Sequence, residues 1–231
     1  MASPSRPQQT ATRAPLGLMG GTFDPVHHGH LRLAEEAAEM LGLAQVRWIP
    51  SGSPGHRGAP RTPGRHRLEM VRLAVQDNPR FVVDDAEALG DTPRFTIDTL
   101  HRLRAELGAA VPLVLIIGAD QLHRLDTWRA WRELFDLAHF AVADRPGYTL
   151  APATLPAAVA AEWQRRGAAP EALRAASGGR MSAFPSTSLA ISASDIRRRL
   201  AAGASARYLL PPEVLAYIRT HRLYSEDTKA S

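Results

Sequence analysis

The sequence predicts an α/β fold: a doubly wound, mostly parallel, Rossmann-like sheet with helices on both faces and a small helical part at the C-terminus. Short apolar runs of strand length alternate with segments of helical periodicity along the 231 residues. Such alternation is typical of repeated strand–helix–strand units. The run at 111–117 is almost entirely leucine or β-branched residues, which indicates a central parallel strand covered on both faces.

The individual elements follow in chain order. A first strand is predicted at 16–19, and Gly20 and Gly21 then form a tight loop before a helix at 30–41, which Gly42 ends. Pro211 and Pro212 predict the start of the last helix, at 211–218, where the missing N–H of proline costs nothing. The other strands are predicted at 46–49, 81–83, 111–117, 140–143 and 181–184, and the other helices at 68–75, 97–107, 128–137 and 194–202.

We expect these elements to form a single domain at 15–224. Residues 1–14 are rich in Ser, Pro, Gln and Thr and show no apolar repeat, so they predict a disordered tail. Residues 225–231 form a second short tail. Within the domain, residues 149–180 are rich in alanine and proline and predict a helical insertion.

The composition excludes several kinds of chemistry. The sequence has no cysteine, so it holds no disulfide framework, thiolate metal site, iron–sulfur cluster or cysteine nucleophile. Of its 28 basic residues only Lys229 is a lysine, which excludes a Walker A phosphate loop and a lysine Schiff base. The net charge of +5 comes from scattered arginines without a basic arm, so we expect no nucleic-acid partner.

The sequence favours a cytoplasmic protein with no membrane partner. Its longest apolar run, 111–119, contains a proline and a glycine and is shorter than the ~20 residues of a spanning helix. The first fifteen residues lack the apolar stretch of a secretory signal.

The densest group of candidate functional residues is the segment at 20–30, Gly-Gly-Thr-Phe-Asp-Pro-Val-His-His-Gly-His. It lies between the first predicted strand and the first helix, where open α/β sheets place their ligands. The two glycines let the backbone approach a ligand, and the free N–H groups of the helix start attract anionic oxygens. Because His27 and His30 are three residues apart, both can point at one phosphate.

Two alternative roles for these histidines stay open. A histidine is often a surface residue or a hydrogen-bonded core residue. His-x-x-His spacing can also chelate a metal, although no glutamate or third ligand nearby in the sequence completes such a site.

A second candidate anion site is the segment Ser-Ala-Ser-Asp-Ile-Arg at 192–197. Ser192 and Asp195 have the spacing of a capping box at the start of the predicted helix. The hydroxyls and free N–H groups there would form an anion cradle, and Arg197, one turn further on, could clamp phosphate oxygens.

Together the two segments resemble the two signatures of the nucleotidylyltransferase superfamily built around the His-x-Gly-His motif. Within it, the chain is most similar to the bacterial nicotinate-nucleotide adenylyltransferase family over nearly everything from 16 to 224. Other matching segments are Arg-Phe-Thr-Ile-Asp-Thr-Leu at 94–100, Ile-Ile-Gly-Ala-Asp at 116–120 and Thr-Trp-Arg at 127–129. The chain departs from the family pattern at Gly55, usually a second proline, at Phe95, usually a tyrosine, and at Ser194, usually a threonine.

The resemblance implies a site for ATP, in which His27, His30 and Arg197 are the expected catalytic residues. They would neutralise charge on the transferring and leaving groups. The expected ATP-binding residues are Gly20, Gly21, Thr22, Phe23, Gly118, Asp120, Arg145, Ser192 and Ser194. Asp120 and Gly118 would hold the ribose, and the two serines would hold the β- and γ-phosphates. For Asp120 a helix cap at a strand end stays an alternative.

The resemblance also implies a site for the acceptor. Trp128 would stack on the pyridine ring, Thr96 with neighbouring backbone N–H groups would read the nicotinate carboxylate, and Arg57 would approach the acceptor phosphate. Ordinary core packing of Trp128 stays an alternative, because Trp131 lies at helical spacing from it.

The implied reaction is adenylyl transfer from ATP to nicotinate mononucleotide in NAD biosynthesis. Mg²⁺ would arrive with ATP, because few carboxylates are present for a metal site in the protein itself. The alternatives are a sister enzyme with another phosphorylated acceptor, such as nicotinamide mononucleotide or phosphopantetheine, and a non-catalytic nucleotide-binding protein. The oligomeric state, monomer or homodimer, stays open.

Overall fold

The protein is built on a six-stranded sheet in which every neighbouring pair of strands is parallel. The computed structural model describes residues 14–52, 60–90, 94–144 and 152–225. The strands are β1 (Leu16–Gly21), β2 (Gln45–Pro50), β3 (Phe81–Val83), β4 (Leu113–Gly118), β5 (His139–Asp144) and β6 (Met181–Pro185).

The helices lie between the strands and after the last of them. They are α1 (His28–Met40), α2 (Gly64–Val75), α3 (Thr96–Leu107), α4 (Ala119–Leu122), α5 (Leu134–Leu137), α6 (Ala157–Arg166), α7 (Ala193–Ala201) and α8 (Pro212–Thr220). Short 3₁₀ turns occupy Leu125–Thr127, Pro152–Thr154 and Pro170–Arg174. None of the helices in the described ranges is long and apolar enough to cross a bilayer.

The strand order is β3-β2-β1-β4-β5-β6. The chain therefore builds one half of the sheet outward from β1 and then returns to start the other half at β4. The carboxyl ends of β1 and β4 border the crevice at which such sheets bind ligands.

Two apolar cores cover the two faces of the sheet, which confirms the predicted doubly wound α/β fold. On one face, α1 and α8 bury side chains such as Ala37 and Ile218. On the other face, α3 and α6 bury side chains such as Leu103 and Val159. All six residues of β4 are buried, as expected for a strand covered on both sides.

The prediction of one helix at 128–137 is wrong. Residues 128–133 form a bend and turns instead, and only 134–137 are helical, as the four-residue helix α5. Ala130 has φ of 50°, in the left-handed region that a continuous α-helix excludes. Trp131 is buried in the core while Trp128 turns to the crevice, so their spacing does not reflect one helical face.

The remaining boundaries differ from the predictions by a few residues. The predicted insertion at 149–180 contains α6 and the 3₁₀ turn at 170–174, and its residues 149–151 lie outside the described ranges. The predicted tail at 1–14 lies outside them except for Ala14, and the tail at 225–231 except for Ser225.

Candidate active site

The loop that joins β1 to α1 forms the centre of the crevice. At Gly20 a Cβ would meet nothing within 4 Å, so the absence of a side chain leaves open space above the strand end. At Gly21 a Cβ would lie 2.8 Å from the ring of Phe23, so only glycine fits. Phe23 itself is buried and has φ of 50°. Gly20 thus leaves the crevice open at the strand end, and Gly21 makes room for the buried ring of Phe23.

His27 and His30 lie against each other at the start of α1. Their rings are stacked with centroids 3.7 Å apart. The backbone N–H of His27 donates to Nδ1 of His30 at 3.3 Å, which leaves the proton of a neutral His30 ring on Nε2. His30 lines the crevice, whereas His27 is buried behind it. The loop therefore directs one imidazole into the open space and supports it with the second.

The start of α7 lies opposite this loop. The hydroxyl of Ser192 caps the helix by accepting from the N–H of Asp195 at 3.1 Å, as its spacing predicts. Arg197 donates from Nη1 to the carbonyl of Asp24 at 2.6 Å and from Nη2 to the hydroxyl of Ser194 at 3.2 Å. Two hydrogen bonds therefore hold the guanidinium of Arg197 at the edge of the crevice.

The carboxyl end of β4 supplies the third wall. Gly118 is the residue before α4, and its N–H donates to Oε1 of Gln121 at 3.2 Å. Asp120 follows in the first turn of α4 and is exposed toward the crevice. A carboxylate at this place can accept hydrogen bonds from ligand hydroxyls.

These three walls enclose a space of about 470 Å³ that we call the His30 cavity. It brings together most of the predicted ATP-binding residues. Ser192 and His27 are not among its lining residues. The lining includes Gly20, Gly21, Thr22, Phe23, His30, Gly118, Asp120, Ser194 and Arg197.

A smaller space of about 130 Å³, which we call the Trp128 cavity, opens on the other side of β1 and β4. Its lining is mostly apolar and includes Trp128, Phe95 and Thr96. It shares Gly20, Gly21, Thr22, Ile116 and Gln121 with the His30 cavity, so the two spaces adjoin, and we call them together the cleft.

A buried carboxyl group lines the Trp128 cavity. Glu87 is 6% exposed and accepts a hydrogen bond from the hydroxyl of Thr99 at 2.5 Å. Burial raises the pKa of Glu87 above its ordinary value, against the opposing effects of Thr99 and Arg102. Arg94 lines the same cavity and also attracts this carboxylate. The cavity thus combines an apolar wall with one carboxyl group and one guanidinium group.

A buried arginine supports the floor of the cleft. Arg67 of α2 is 1% exposed and donates to the carbonyls of Thr22 at 2.7 Å, Gly52 at 2.7 Å and Thr62 at 3.0 Å. Burial lowers the pKa of Arg67, and the nearby carboxylate of Asp24 opposes that shift. This one side chain therefore ties the loop after β1 to two points of the connection between β2 and α2, beneath the cleft.

Several lining residues were missed by the sequence analysis. Arg61 lines the His30 cavity next to Arg197, Gln121 lines both cavities, and Glu87 lines the Trp128 cavity. Gln121 follows directly on the Gly-Ala-Asp segment, a signal that could have found it. Arg61 and Glu87 lie in segments without a local motif. The predicted site residues Arg57 and Arg145 lie outside the described ranges.

The donor groups of the cleft do not form a dedicated metal site. Within the described ranges, no group of three or more histidine and carboxylate side chains could hold a metal ion. Of the two carboxylates that line the His30 cavity, Asp24 already accepts from Tyr224 and from the N–H of Arg61. A divalent ion would therefore have to be held mainly by the oxygens of a ligand.

Comparison with known proteins identifies the class. A model of the cytidylyltransferase-like family matches residues 18–199. The nicotinic acid mononucleotide adenylyltransferase of Plasmodium falciparum, solved in complex with NaAD, superposes with a TM-score of 0.71 at 15% identity, over 95% of this chain and 100% of that one. The parallel sheet and the cleft at its switch point are thus those of a nucleotidyltransferase.

Two curated relatives narrow the class. A protein of Dechloromonas aromatica named "Probable nicotinate-nucleotide adenylyltransferase" is 54% identical over 91% of this chain and 97% of its own length. One of the same name from Chromobacterium violaceum is 48% identical over 91% of this chain and 99% of its own length. The chain belongs to the nicotinate-nucleotide adenylyltransferase family, which confirms the resemblance seen in the sequence.

Proposed function

We propose that the protein transfers the adenylyl group of ATP to the 5′-phosphate of nicotinate mononucleotide, giving nicotinate adenine dinucleotide and pyrophosphate. The observation that carries this proposal is the pair of adjoining cavities: the polar His30 cavity, lined by Arg61 and Arg197, meets the largely apolar Trp128 cavity at Gly20–Thr22. A dinucleotide needs both environments, with its phosphates at the junction. The curated relatives carry the name of this reaction.

The His30 cavity would hold ATP. His30 and Arg197 face it from opposite walls and would contact the phosphates, with His27 supporting His30 from behind. Ser194 would donate its hydroxyl to the β- or γ-phosphate. Ser192, as the cap of α7, would orient the N–H groups of the helix start toward the same oxygens.

The remaining ATP contacts would come from the strand ends. Gly20, Gly21 and Thr22 leave room for the α-phosphate at the junction of the cavities, and Phe23 fixes the loop from below. Asp120 would accept from the ribose hydroxyls beside Gly118. Arg145 completes the proposed ATP site on the strength of the family resemblance alone.

The Trp128 cavity would hold the acceptor. The indole of Trp128, which is only partly buried, would stack on the pyridine ring. Thr96 begins α3, so the first N–H groups of that helix lie beside its side chain and would bind the nicotinate carboxylate. Arg57 would approach the acceptor phosphate, again by resemblance alone.

The proposed reaction is a direct in-line displacement. An oxygen of the acceptor phosphate attacks the α-phosphorus of ATP, a new P–O bond forms, and the bond to the β-phosphate oxygen breaks with release of pyrophosphate. A phosphate monoester is already anionic near neutral pH, so no strong general base is required. Catalysis is then mainly positioning and charge stabilisation by His30 and Arg197.

The cleft fits a magnesium ion that arrives on the triphosphate. Of the two carboxylates that line the His30 cavity, Asp24 accepts hydrogen bonds from Tyr224 and from the N–H of Arg61, so Asp120 is the one better placed to meet a bound ion. Mg²⁺ prefers to keep several waters and phosphate oxygens, and when bound it supplies charge neutralisation between the phosphates. We propose that the protein uses ATP with bound Mg²⁺ as its substrate. We also propose that it works in the cytoplasm.

The test is Mg²⁺-dependent pyrophosphate release from ATP, measured in parallel with nicotinate mononucleotide and nicotinamide mononucleotide. We expect release with the acid and a clear preference for it over the amide. Equal use of both would contradict the assignment of a carboxylate-reading group near Thr96. Release only with another acceptor, such as phosphopantetheine, would identify a sister enzyme, and ATP binding without release would identify a nucleotide-binding protein.

A further inference from the structure

Asp24 joins four parts of the chain at the edge of the His30 cavity through its carboxylate and its backbone carbonyl. Asp24 is 5% exposed. Its Oδ1 accepts from the phenol of Tyr224 at 2.6 Å, and its Oδ2 accepts from the N–H of Arg61 at 2.9 Å. Its backbone carbonyl accepts from Arg197 at 2.6 Å. Three of these segments line the cavity, and the fourth, at Tyr224, does not.

Tyr224 is the group among these four that no role in the reaction explains. Its side chain is 9% exposed, and its backbone has φ of 65°. A bulky residue in the left-handed region is disfavoured, so surrounding contacts must hold it there. Burial, together with the charge of Asp24, raises the pKa of the phenol far above its ordinary range. The O–H therefore stays a donor to the carboxylate at every working pH.

The C-terminal segment is also joined to the loop by its backbone and its packing. The N–H of His28, the first residue of α1, donates to the carbonyl of Leu209 at 3.1 Å. Leu210 and Val214 pack in the same core as the side chains of α1. The segment that ends at Tyr224 therefore packs along α1, the helix that carries His30, and Tyr224 contacts the loop that precedes α1.

We propose that Tyr224 is a positioning residue of the nucleotide site, which fixes Asp24 so that Arg61 and Arg197 keep their places around the phosphates. Without the phenol, the buried carboxylate of Asp24 would keep the hydrogen bond from the backbone N–H of Arg61 and lose the one from Tyr224. The loop at 22–24 would then move relative to α7, and the distance between His30 and Arg197 would no longer be set. This inference rests on the proposed assignment of the His30 cavity to ATP.

The test compares two tyrosines of the same C-terminal segment. Tyr224→Phe removes the buried bond to Asp24, whereas Tyr217→Phe removes a partly buried phenol hydrogen bond of α8, to Nδ1 of His66 at 2.9 Å, outside both cavities. For Tyr224→Phe we expect kcat/KM for ATP to fall roughly tenfold to a hundredfold, because a displacement of about 1 Å has that effect on positioned groups. We expect KM for nicotinate mononucleotide to stay within about twofold.

Tyr217→Phe is the matched control and should keep wild-type kinetics. Thermal unfolding of both variants shows whether they lose similar stability. Equal kinetics in the two variants, or a parallel rise of both KM values in Tyr224→Phe, would overturn the proposal, because a merely structural tyrosine does not separate ATP from the acceptor.

A double-mutant cycle tests whether Tyr224 acts through Asp24. If it does, the variant that combines Tyr224→Phe with Asp24→Asn is no slower than Asp24→Asn alone. Additive losses would overturn the proposed route. If Tyr224→Phe does not fold, Asp24→Asn alone decides, because it must show the same selective loss of ATP use.

The affinity for ATP, measured calorimetrically without acceptor, separates this inference from the proposed reaction. Wild-type protein that releases no pyrophosphate would refute the reaction. In that event, weaker ATP binding by Tyr224→Phe than by Tyr217→Phe would still support the positioning role, and equal binding would overturn it.

Discussion

Replacement of Arg67 by methionine tests whether the cleft is held from below by one buried cation. Arg67 donates three hydrogen bonds to the carbonyls of Thr22, Gly52 and Thr62, at 2.7, 2.7 and 3.0 Å. Arg67→Met keeps much of the side-chain volume and removes all three donors. Because Arg67 is 1% exposed, water cannot easily replace them.

The expected loss of stability follows from these three bonds. Hydrogen bonds that involve a charged group contribute about 1.5–3 kcal/mol each. Loss of these bonds is partly offset, because folding of the variant no longer pays the cost of desolvating a charged guanidinium. We therefore expect a net loss of about 3–5 kcal/mol in the free energy of unfolding. For a domain of this size such a loss lowers Tm by on the order of 10 °C.

Thermal unfolding followed by circular dichroism measures this effect. Arg72→Met on the same helix is the control, because its ion pair with Asp85 is on the surface, with side chains 47% and 54% exposed, and such pairs contribute at most about 1 kcal/mol. Arg67→Lys, which keeps the charge but not the forked geometry, should lie between the two. A Tm for Arg67→Met within about 2 °C of wild type would refute the reasoning.

Three further predictions concern the cleft and the core. His30→Ala should lower kcat roughly 10²–10³-fold in a protein that still folds, since it removes one donor to the phosphates; near wild-type turnover would contradict the assignment. Arg94 is exposed and lines the Trp128 cavity together with Thr96, so its charge would favour an acceptor that carries a carboxylate. Arg94→Gln should therefore lower the ratio of kcat/KM for the acid over the amide acceptor up to about fivefold, as expected for an exposed charge, and leave kinetics with the amide unchanged; an unaltered ratio would show that Arg94 does not contribute to recognition of the carboxylate. His139 is fully buried, donates to the carbonyl of Ala176 and accepts from the N–H of Arg180. Burial lowers the pKa of His139 in the folded state. Below about pH 6.5 this histidine is therefore protonated in the unfolded chain but resists protonation in the folded chain, and the free energy of unfolding decreases as the pH decreases. Urea unfolding of His139→Asn should therefore show a smaller loss of stability between pH 7 and pH 5 than wild type. An equal loss in the two proteins would show that His139 is not the source of this pH dependence.

Most of the fold was predictable because its strands and helices have clean periodicities. The segment at 81–83 was predicted with the observed boundaries of β3, and β4 follows from one apolar run. The region at 119–137 was not predictable in this way. Its backbone turns at Ala130 with a positive φ, and its two tryptophans face different environments. A spacing of three residues cannot distinguish that arrangement from a helix.

The candidate site was predictable where its residues form local motifs. The loop at 20–30 and the start of α7 each have an anion-binding pattern of their own, and the structure places His30, Ser194 and Arg197 around one cavity. Glu87 and Arg61 lie in segments without such a pattern, so only the folded chain shows that they line the cleft. Tyr224 and Asp24 are 200 residues apart, a distance over which a single sequence carries no pairing signal.

The arginine content acquires a structural meaning in the folded chain. Arg67 reaches three carbonyls, and Arg104 likewise donates to the carbonyls of Leu137, Val111 and Ser177. A planar fork with five N–H donors can join several carbonyls at once, whereas the compact ammonium of lysine cannot do so with the same geometry. With arginine at all but one of its 28 basic positions, the chain uses part of its positive charge inside the fold. The net charge of +5 therefore overstates how much cationic surface is free to meet a polyanion, whereas the cleft keeps its cations at the position where a triphosphate would lie.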